Sequence, residues 1–283
     1  MTPRALSGLS SPPPAECLQA GPPPARSHAR RLATAAGLSL AVALPSGAAE
    51  PDGWAFYLGG DRAGIRLFDG RDTWWGGRAQ LGVRREGKGG AFVAVEAYRR
   101  FDRTDTTLVA AGWRHVRQWS FYAEAGVTPG ADFYYRRSAE VEAYRRVGDS
   151  AWVPHLAYRY WLFPGQSVHL VSPRVTRYGP RSELHARLSL VRNTTTGTGS
   201  ASVFARGHWD VRARLRLGAG FALGERIFDV TSLPRDPAPG WVAFAEARLG
   251  VSPRDSVGLT LRAAEEGSDF DQTAIGVSYR RTF

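Results

Sequence analysis

From Trp54 onward, apolar and polar residues alternate with a period of two, not the 3.6 of a helix. The longest run extends from Val211 to Phe221. Val211, Ala213, Leu215, Leu217, Ala219 and Phe221 fall on one face, with Arg212, Arg214, Arg216, Gly218 and Gly220 on the other. A strand sends two such sets to opposite sides of a sheet, whereas a helix would spread the arginines around its circumference. The pattern recurs at Ala79/Leu81/Val83 against Arg78/Gln80/Arg84 and at Val141/Ala143 against Glu140/Glu142. It appears again at Leu184/Ala186/Leu188/Leu190 against His185/Arg187/Ser189 and at Val257/Leu259/Leu261 against Thr260/Arg262.

Turn signals fall between these runs at strand-length intervals: Asp69-Gly70, residues 86–90, Asp102 to Asp105, Gly148-Asp149, Pro164-Gly165, Tyr178-Gly179-Pro180 and Ser252 to Asp255. The chain divides into fourteen predicted strands, at 54–67, 73–85, 91–101, 106–116, 119–127, 134–147, 152–162, 167–177, 183–192, 200–209, 211–224, 241–251, 256–265 and 272–283. Pro154 and Pro173 interrupt the seventh and eighth, so twelve is the alternative count. Strands of about 10 residues, tilted by about 45°, cross the apolar layer of a membrane. An even number returns both termini to one side, here expected to be the periplasm. Turns near 87, 117, 149, 179, 210 and 254 then face the periplasm, and connections near 70, 103, 130, 165, 196, 232 and 268 face outward. The longest of these, from Arg226 to Gly240, carries Pro234, Pro237 and Pro239.

A soluble β-sandwich would alternate too. Three features favour an all-β, transmembrane antiparallel β-barrel instead: charged residues on the second face of many strands, the amino-terminal segment, and the carboxy-terminal strand. Ile275, Val277, Tyr279 and Phe283 share a face, and Phe283 is the last residue. This ending resembles the recognition signal of outer-membrane barrels, which implies that Tyr279 and Phe283 engage the barrel-assembly machinery. Arg281 stands where an apolar residue is usual.

Residues 1–25 are rich in Pro, Ser and Ala without periodicity, as a translated upstream extension would be. Arg26, His28, Arg30 and Arg31 then precede an apolar stretch from Leu32 to Leu44 and the small residues Ser46 to Ala49. Basic, apolar, small is the order of a secretory signal peptide. A short amphipathic helix is the alternative, but 35–44 offers it few polar positions. The expected division is 1–49 as extension and signal peptide, with the barrel over 50–283.

Composition sharpens the picture. The +11 formal charge falls by three, to +8, when the four arginines and one glutamate of residues 1–49 are removed. Nearly all the positive charge is arginine, Lys88 being the sole lysine. Those arginines are scattered through alternating segments and form no basic stripe, which argues against nucleic acid. Cys17, the single cysteine, lies in the leader without a preceding apolar stretch, so neither a lipid-anchor reading nor a disulfide is supported. No metal-ligand spacing appears, and no cofactor is expected.

Parity assigns Arg78, Arg84, Arg114, Arg159, Arg187, Arg206, Arg212, Arg214, Arg216, Arg248, Arg262 and Arg280 to the lumen. Glu96, Glu124, Glu140, Glu142 and Glu246 join them. A ring of guanidinium groups in a water-filled pore favours anions; the bland alternative is a lumen cross-linked by ion pairs. The candidate contacts for anionic solutes or polysaccharide are Arg187, Arg206, Arg212, Arg214, Arg216, Arg248 and Arg262, with Glu96, Glu140, Glu142 and Glu246. Arg212, Arg214 and Arg216 form the sharpest feature, because three like charges on one strand face repel unless anions or glutamates answer them. Trp54, Trp74, Trp75, Tyr134, Tyr135, Trp152, Tyr160, Trp161, Trp209 and Trp241 lie near strand ends, where girdles at the two lipid interfaces are expected. Ligand stacking is the alternative for Trp74 and Trp75.

An outer-membrane enzyme is the rival class. A lipase needs a hydroxyl, a histidine and an orienting group together, and the five histidines beyond the leader show no such spacing. Asp132, Asp269 and Asp271 lie at the predicted rim without a histidine nearby. The residues point to no catalytic centre.

Several stretches resemble the YaiO family of outer-membrane β-barrels: residues 69–74, 168–178, 196–200, 224–226, 268–272 and 276–280. The likeness runs from about Trp54 to Phe283 and implies a Gram-negative outer-membrane location. The family is also similar to the barrel of the porin that exports poly-N-acetylglucosamine, which implies a link to envelope or polysaccharide secretion. Trp54 follows the leader almost directly, without the helical repeats such exporters carry. The expected function is non-enzymatic: a small pore or an envelope-secretion component, with a structural, latched barrel as the alternative. Its expected partners are outer-membrane lipid and the barrel-assembly machinery.

Overall fold

The computed structural model describes residues 53–67, 70–147, 151–225, 239–267 and 270–283. Strands β1 (Gly53–Leu67), β2 (Gly70–Arg85), β3 (Gly89–Arg100), β4 (Arg103–Val116), β5 (Trp119–Val127), β6 (Arg137–Arg145) and β7 (Trp152–Phe163) form the first half. They are followed by β8 (Gln166–Tyr178), β9 (Ser182–Asn193), β10 (Gly199–Arg212), β11 (Leu215–Glu225), β12 (Pro239–Gly250), β13 (Asp255–Glu266) and β14 (Phe270–Thr282). Each pairs antiparallel with its sequence neighbours. β1 closes the barrel on β14, from Ala55 opposite Thr282 to Leu67 opposite Phe270. Closure leaves no unpaired edge, the condition for a sheet to cross a membrane. The expected leader, most of the 226–240 connection, and Asp69, Gly148, Asp149, Ser268 and Asp269 lie outside the described residues.

The barrel has fourteen strands, and the two prolines do not reduce the count. Pro154 faces Val175 and Pro173 faces Leu156 in the β7–β8 ladder. On the other side of β8 the pairing runs from Val171–Leu190 to Arg174–Arg187, so the ladder is interrupted where Pro173 has no N–H to give. Two boundaries differ from the sequence reading. β6 begins at Arg137, not Tyr134, because Tyr134 and Tyr135 turn into the barrel. β10 extends to Arg212 and β11 starts at Leu215, with Arg212 opposite Leu215 across a bulge. A two-residue connection preserves an alternation of period two, so the apolar pattern reads through this hairpin without a break.

The outward face is apolar over the middle of the strands: Leu58, Leu81, Val93, Leu108, Val141, Leu156, Leu188, Leu259 and Val277 are all exposed. Trp54, Trp75, Trp119, Trp152, Trp209 and Trp241 are exposed on the same face toward strand ends, as interfacial girdles require. Tyr160 is half-buried on the outward side of β7, and the remaining four aromatics expected there are placed differently. Trp74, Tyr134, Tyr135 and Trp161 are buried inside the barrel. Nearness to a strand end could not distinguish the two faces; for Trp74 the side is set by parity, one residue from Trp75.

At the end away from the chain termini, two apolar clusters fill the interior. One joins Tyr98, Phe133, Tyr134, Tyr135, Trp161, Phe163, Val168 and Leu170. The other joins Ala63, Ile65, Trp74, Ala222, Val242, Ala264 and Phe270, and Phe101 packs against both. Phe101 and Asp102 form the two-residue β3–β4 turn, both with positive φ (49° and 60°). That is the geometry favoured by hairpin twist, and unusual for a phenylalanine.

Candidate functional site

The interior combines an inward-folded segment with a charged wall. The segment is 128–136, between β5 and β6, which carries the buried residues Thr128, Ala131, Phe133, Tyr134 and Tyr135. Its anchor is Asp105 on β4. The carboxylate accepts backbone N–H bonds from Asp132 (3.0 Å), Phe133 (2.9 Å) and Tyr134 (2.7 Å) and is only 3% exposed. Thr128 and Thr107 share a hydroxyl hydrogen bond of 2.7 Å at the base of the segment. At the rim away from the chain termini, Arg103 pairs with Asp132 at 2.7 Å.

Aromatic contacts hold the segment from the other sides. Tyr134 stacks on Tyr98 with ring centroids 4.8 Å apart, and Tyr135 meets Phe163 edge-on. The guanidinium of Arg100 lies 4.7 Å from the Trp74 ring and 5.3 Å from the Phe133 ring. It therefore links the segment to the second apolar cluster through cation–π contacts. Burial, reinforced by the negative charge of Glu96, pushes the Tyr135 phenol up to about 12. Burial and the neighbouring phenols of Tyr98 and Tyr135 raise Tyr134 well above its ordinary value.

Further along the strands the interior is ionic. Glu96 pairs with Arg78, and both are buried. Glu140 meets Arg159 and Arg174, while Glu142 meets Arg174 at 2.6 Å and His155 at 2.7 Å. Across the barrel, Arg206 holds Glu246 with two bonds of 2.9 and 3.0 Å, and His208 adds a third at 2.8 Å. Arg216 pairs with Asp210 at 2.9 Å, and Arg262 lies 3.8 Å from Asp61. Arg187 lays its guanidinium 4.8 Å from the Phe204 ring. Among the described residues, neither Arg187 nor Arg248 has a carboxylate at ion-pair distance.

Three arginines read as interior are elsewhere. Arg212 and Arg214 are exposed at the β10–β11 turn, so the row of three like charges does not exist. Of the three, Arg216 alone points inward, because β11 begins at Leu215 and not at Val211. Arg114 is exposed on the outward side of β4, where Trp113 and His115 take the inward positions. The assembly-signal residues lie at the closing strand. Tyr279 donates its hydroxyl to Asp255 at 2.5 Å, and Phe283 is 61% exposed with its N–H on the Trp54 carbonyl.

Arg174, Asp61, Asp105, His155 and His208 were not singled out from sequence. Pro173 masked the parity of Arg174, and Asp105 read as part of a turn. The structure also assembles one carboxylate–imidazole–hydroxyl relay. Glu142 bonds His155 Nδ1 at 2.7 Å, and His155 Nε2 lies 3.1 Å from Thr176 Oγ1. The hydroxyl is shared with His185 Nδ1 at 3.0 Å, and Thr176 is 2% exposed. It lies within paired strands, whose ladders engage the backbone amides an oxyanion would need. The network satisfies buried polar groups. Among the described residues, no cluster of His, Cys, Asp and Glu has metal-binding geometry.

Comparison with known proteins adds three findings. The family model "YaiO membrane beta barrel domain" matches residues 62–225. Among solved structures, the "CymD monoaromatic hydrocarbon channel" superposes with a TM-score of 0.57 at 10% identity, covering 83% of this chain and 89% of that one. A FadL homologue of Pseudomonas aeruginosa gives 0.57 at 10% identity, with 82% and 90% covered. A "bacterial polysaccharide outer membrane secretin" gives 0.52 at 10% identity, with 81% and 98% covered. At such identities these neighbours establish the fold, that of outer-membrane barrels. Among curated protein sequences nothing matches.

Proposed function

The chain belongs to the YaiO family of membrane β-barrels, and from that premise we propose that it is a non-enzymatic, narrow outer-membrane pore gated by its segment 128–136. The carrying observation is the three-bond anchor of that segment on the buried Asp105. Such an anchor concentrates the docking of a whole segment in one carboxylate, which makes docking reversible by a local change. Both termini face the periplasm in this reading. The long connections 128–136 and 194–198 lie at the end away from the termini, in keeping with that orientation. The segment then closes the extracellular end.

Beyond the gate, Arg187 and Arg248 tip the interior toward anions, because paired arginines are answered locally and these two are not. Small anionic solutes are the proposed permeants. Acidic polysaccharide is the larger candidate, since stacked rings beside guanidinium groups suit a chain of charged sugars. Contact with the barrel-assembly machinery through Tyr279 and Phe283 belongs to the same proposal.

A second reading has its own support. The Arg78–Glu96, Arg174–Glu140–Glu142 and Arg206–Glu246 contacts brace the interior and favour a permanently latched, structural barrel. Solute flux separates the two. In liposome-swelling assays, a variant with 129–135 replaced by a short Gly-Ser turn should admit small anions faster than matched cations, and wild type should admit either slowly. A folded variant as impermeant as wild type would establish the latched barrel instead.

A further inference from the structure

We propose that the outward wall of β1–β3, at the end away from the termini, binds a phosphorylated glycolipid of the outer leaflet through Arg62 and Arg99, with Trp75 between them. The inference uses the orientation argued above and is independent of whether the interior conducts.

The register builds the site. Arg62 pairs with Trp75, and Trp75 with Arg99, so the three side chains lie side by side on the outward face of adjacent strands. Two strand spacings of about 4.8 Å place the two arginine backbones about 10 Å apart. They open on a polar recess of about 690 Å³, lined also by Arg71, Asp72, Thr73 and Asp102. Arginine so exposed on the membrane side of a barrel is costly unless it lies at headgroup depth and meets an anion.

The carboxylates nearby do not neutralise the site. Asp72 accepts from the Trp74 indole N–H at 3.0 Å and from the Thr73 N–H at 2.7 Å. Asp102 pairs with Arg99 at 3.1 Å but is 94% exposed, and Asp271 is taken by Arg66 at 40% exposure of its side chain. Among the described residues, Arg62 and Arg71 have no carboxylate at ion-pair distance.

The surface toward the membrane centre fits the rest of such a lipid. Gly60, Gly77 and Ala97 form the next outward row, one strand pair after another. Beyond them lies an apolar recess of about 670 Å³ over Leu81, Val93, Val95 and Leu108. Small residues under the arginine row let a sugar ring approach the backbone, and the apolar recess receives acyl chains. A cationic pair above an apolar mould on the same strands matches a lipid with phosphate at its head better than it matches a free anion. The forked guanidinium donors suit the phosphate oxygens.

Native mass spectrometry of the purified, folded barrel tests this directly, with bis-phosphorylated lipid A and its dephosphorylated form as probes. Retention should favour the phosphorylated lipid by about tenfold or more, as the loss of charge-assisted contacts implies. R62Q/R99Q should lose that preference, and R117Q/R254Q, with the same charge change at the other end, should keep it. Equal retention of the two lipids by wild type overturns the proposal, as does a folded R62Q/R99Q that binds like wild type. Displacement by inorganic phosphate would show a free-anion site and overturn the lipid assignment. If R62Q/R99Q does not fold, the wild-type preference decides alone. Orientation is read separately, from impermeant labelling of D102C on intact cells. Labelling without lipid preference rejects only the lipid site, whereas no labelling rejects the orientation.

Discussion

Asp105→Ala should release segment 128–136 from the barrel interior. The substitution removes the acceptor of the N–H groups of Asp132, Phe133 and Tyr134, at 3.0, 2.9 and 2.7 Å. Hydrogen bonds to a charged group contribute about 1.5–3 kcal/mol each. Because the three share one carboxylate their contributions do not add fully, and about 4 kcal/mol is a working total. That corresponds to roughly a thousandfold fall in the ratio of docked to undocked segment. The largest remaining support is the burial of three aromatic rings, at about 1.5–3 kcal/mol each. Opposing it is the ordering of the segment backbone, at about 1–2 kcal/mol per residue. Over the nine residues of 128–136 that cost, about 9–18 kcal/mol, is at least as large as the gain of about 4.5–9 kcal/mol from the rings, so the anchor decides the outcome. Amide hydrogen exchange reads the effect, with residues 131–134 compared against β4 and β5 as references in the same molecule. Exchange at 131–134 should accelerate by about three orders of magnitude, and Asp105→Asn, which keeps one acceptor oxygen, should fall between. Unchanged protection in a folded Asp105→Ala barrel would refute the anchoring role.

Other consequences are testable in the same preparation. Glu246→Ala leaves Arg206 and His208 facing each other in the interior and should destabilise the barrel by about 3 kcal/mol; urea unfolding followed by heat-modifiable gel mobility measures it, and the Arg206→Met/Glu246→Ala pair should recover part of the loss. Arg187→Gln should move the reversal potential of an opened barrel toward zero, because this interior arginine faces Phe204 and not a carboxylate. Alkaline pH should loosen the segment. Its tyrosines keep their protons more tightly when docked, with Tyr135 raised from 10.0 to about 12, so docking is unaffected below pH 10 and weakens as pH rises through 10 to 12. Tyrosinate absorbance and the exchange of residues 131–134 should change together over that window.

The architecture was legible in the sequence because a barrel wall repeats one physical requirement. Every strand must show an apolar face to lipid, so Leu184, Leu188 and Leu190 alternate with His185, Arg187 and Ser189, and the strands follow from counting. The same rule blurred the β10–β11 hairpin, where a two-residue turn kept the phase and made Arg212 and Arg214 look like interior residues. The interior was less legible. Which acid meets which arginine depends on register between strands distant in sequence, as with Arg206 and Glu246. Pro173 concealed the side on which Arg174 lies, although Arg174 bridges two glutamates. The inward fold of 128–136 had no periodic signature at all, and Tyr134 and Tyr135 read as the start of a strand. The one available signal was Asp105, an acid placed where its strand's inward parity begins.

The central claim is that a reversible segment, and not a permanently latched wall, closes the interior. Single-channel recording of the folded wild-type barrel beside Asp105→Ala tests it most directly. Wild type should be closed for most of the record with brief openings, and Asp105→Ala should conduct steadily with anions preferred over cations. A wild-type barrel that is fully open at rest, or an Asp105→Ala barrel that is folded and silent, would contradict the account.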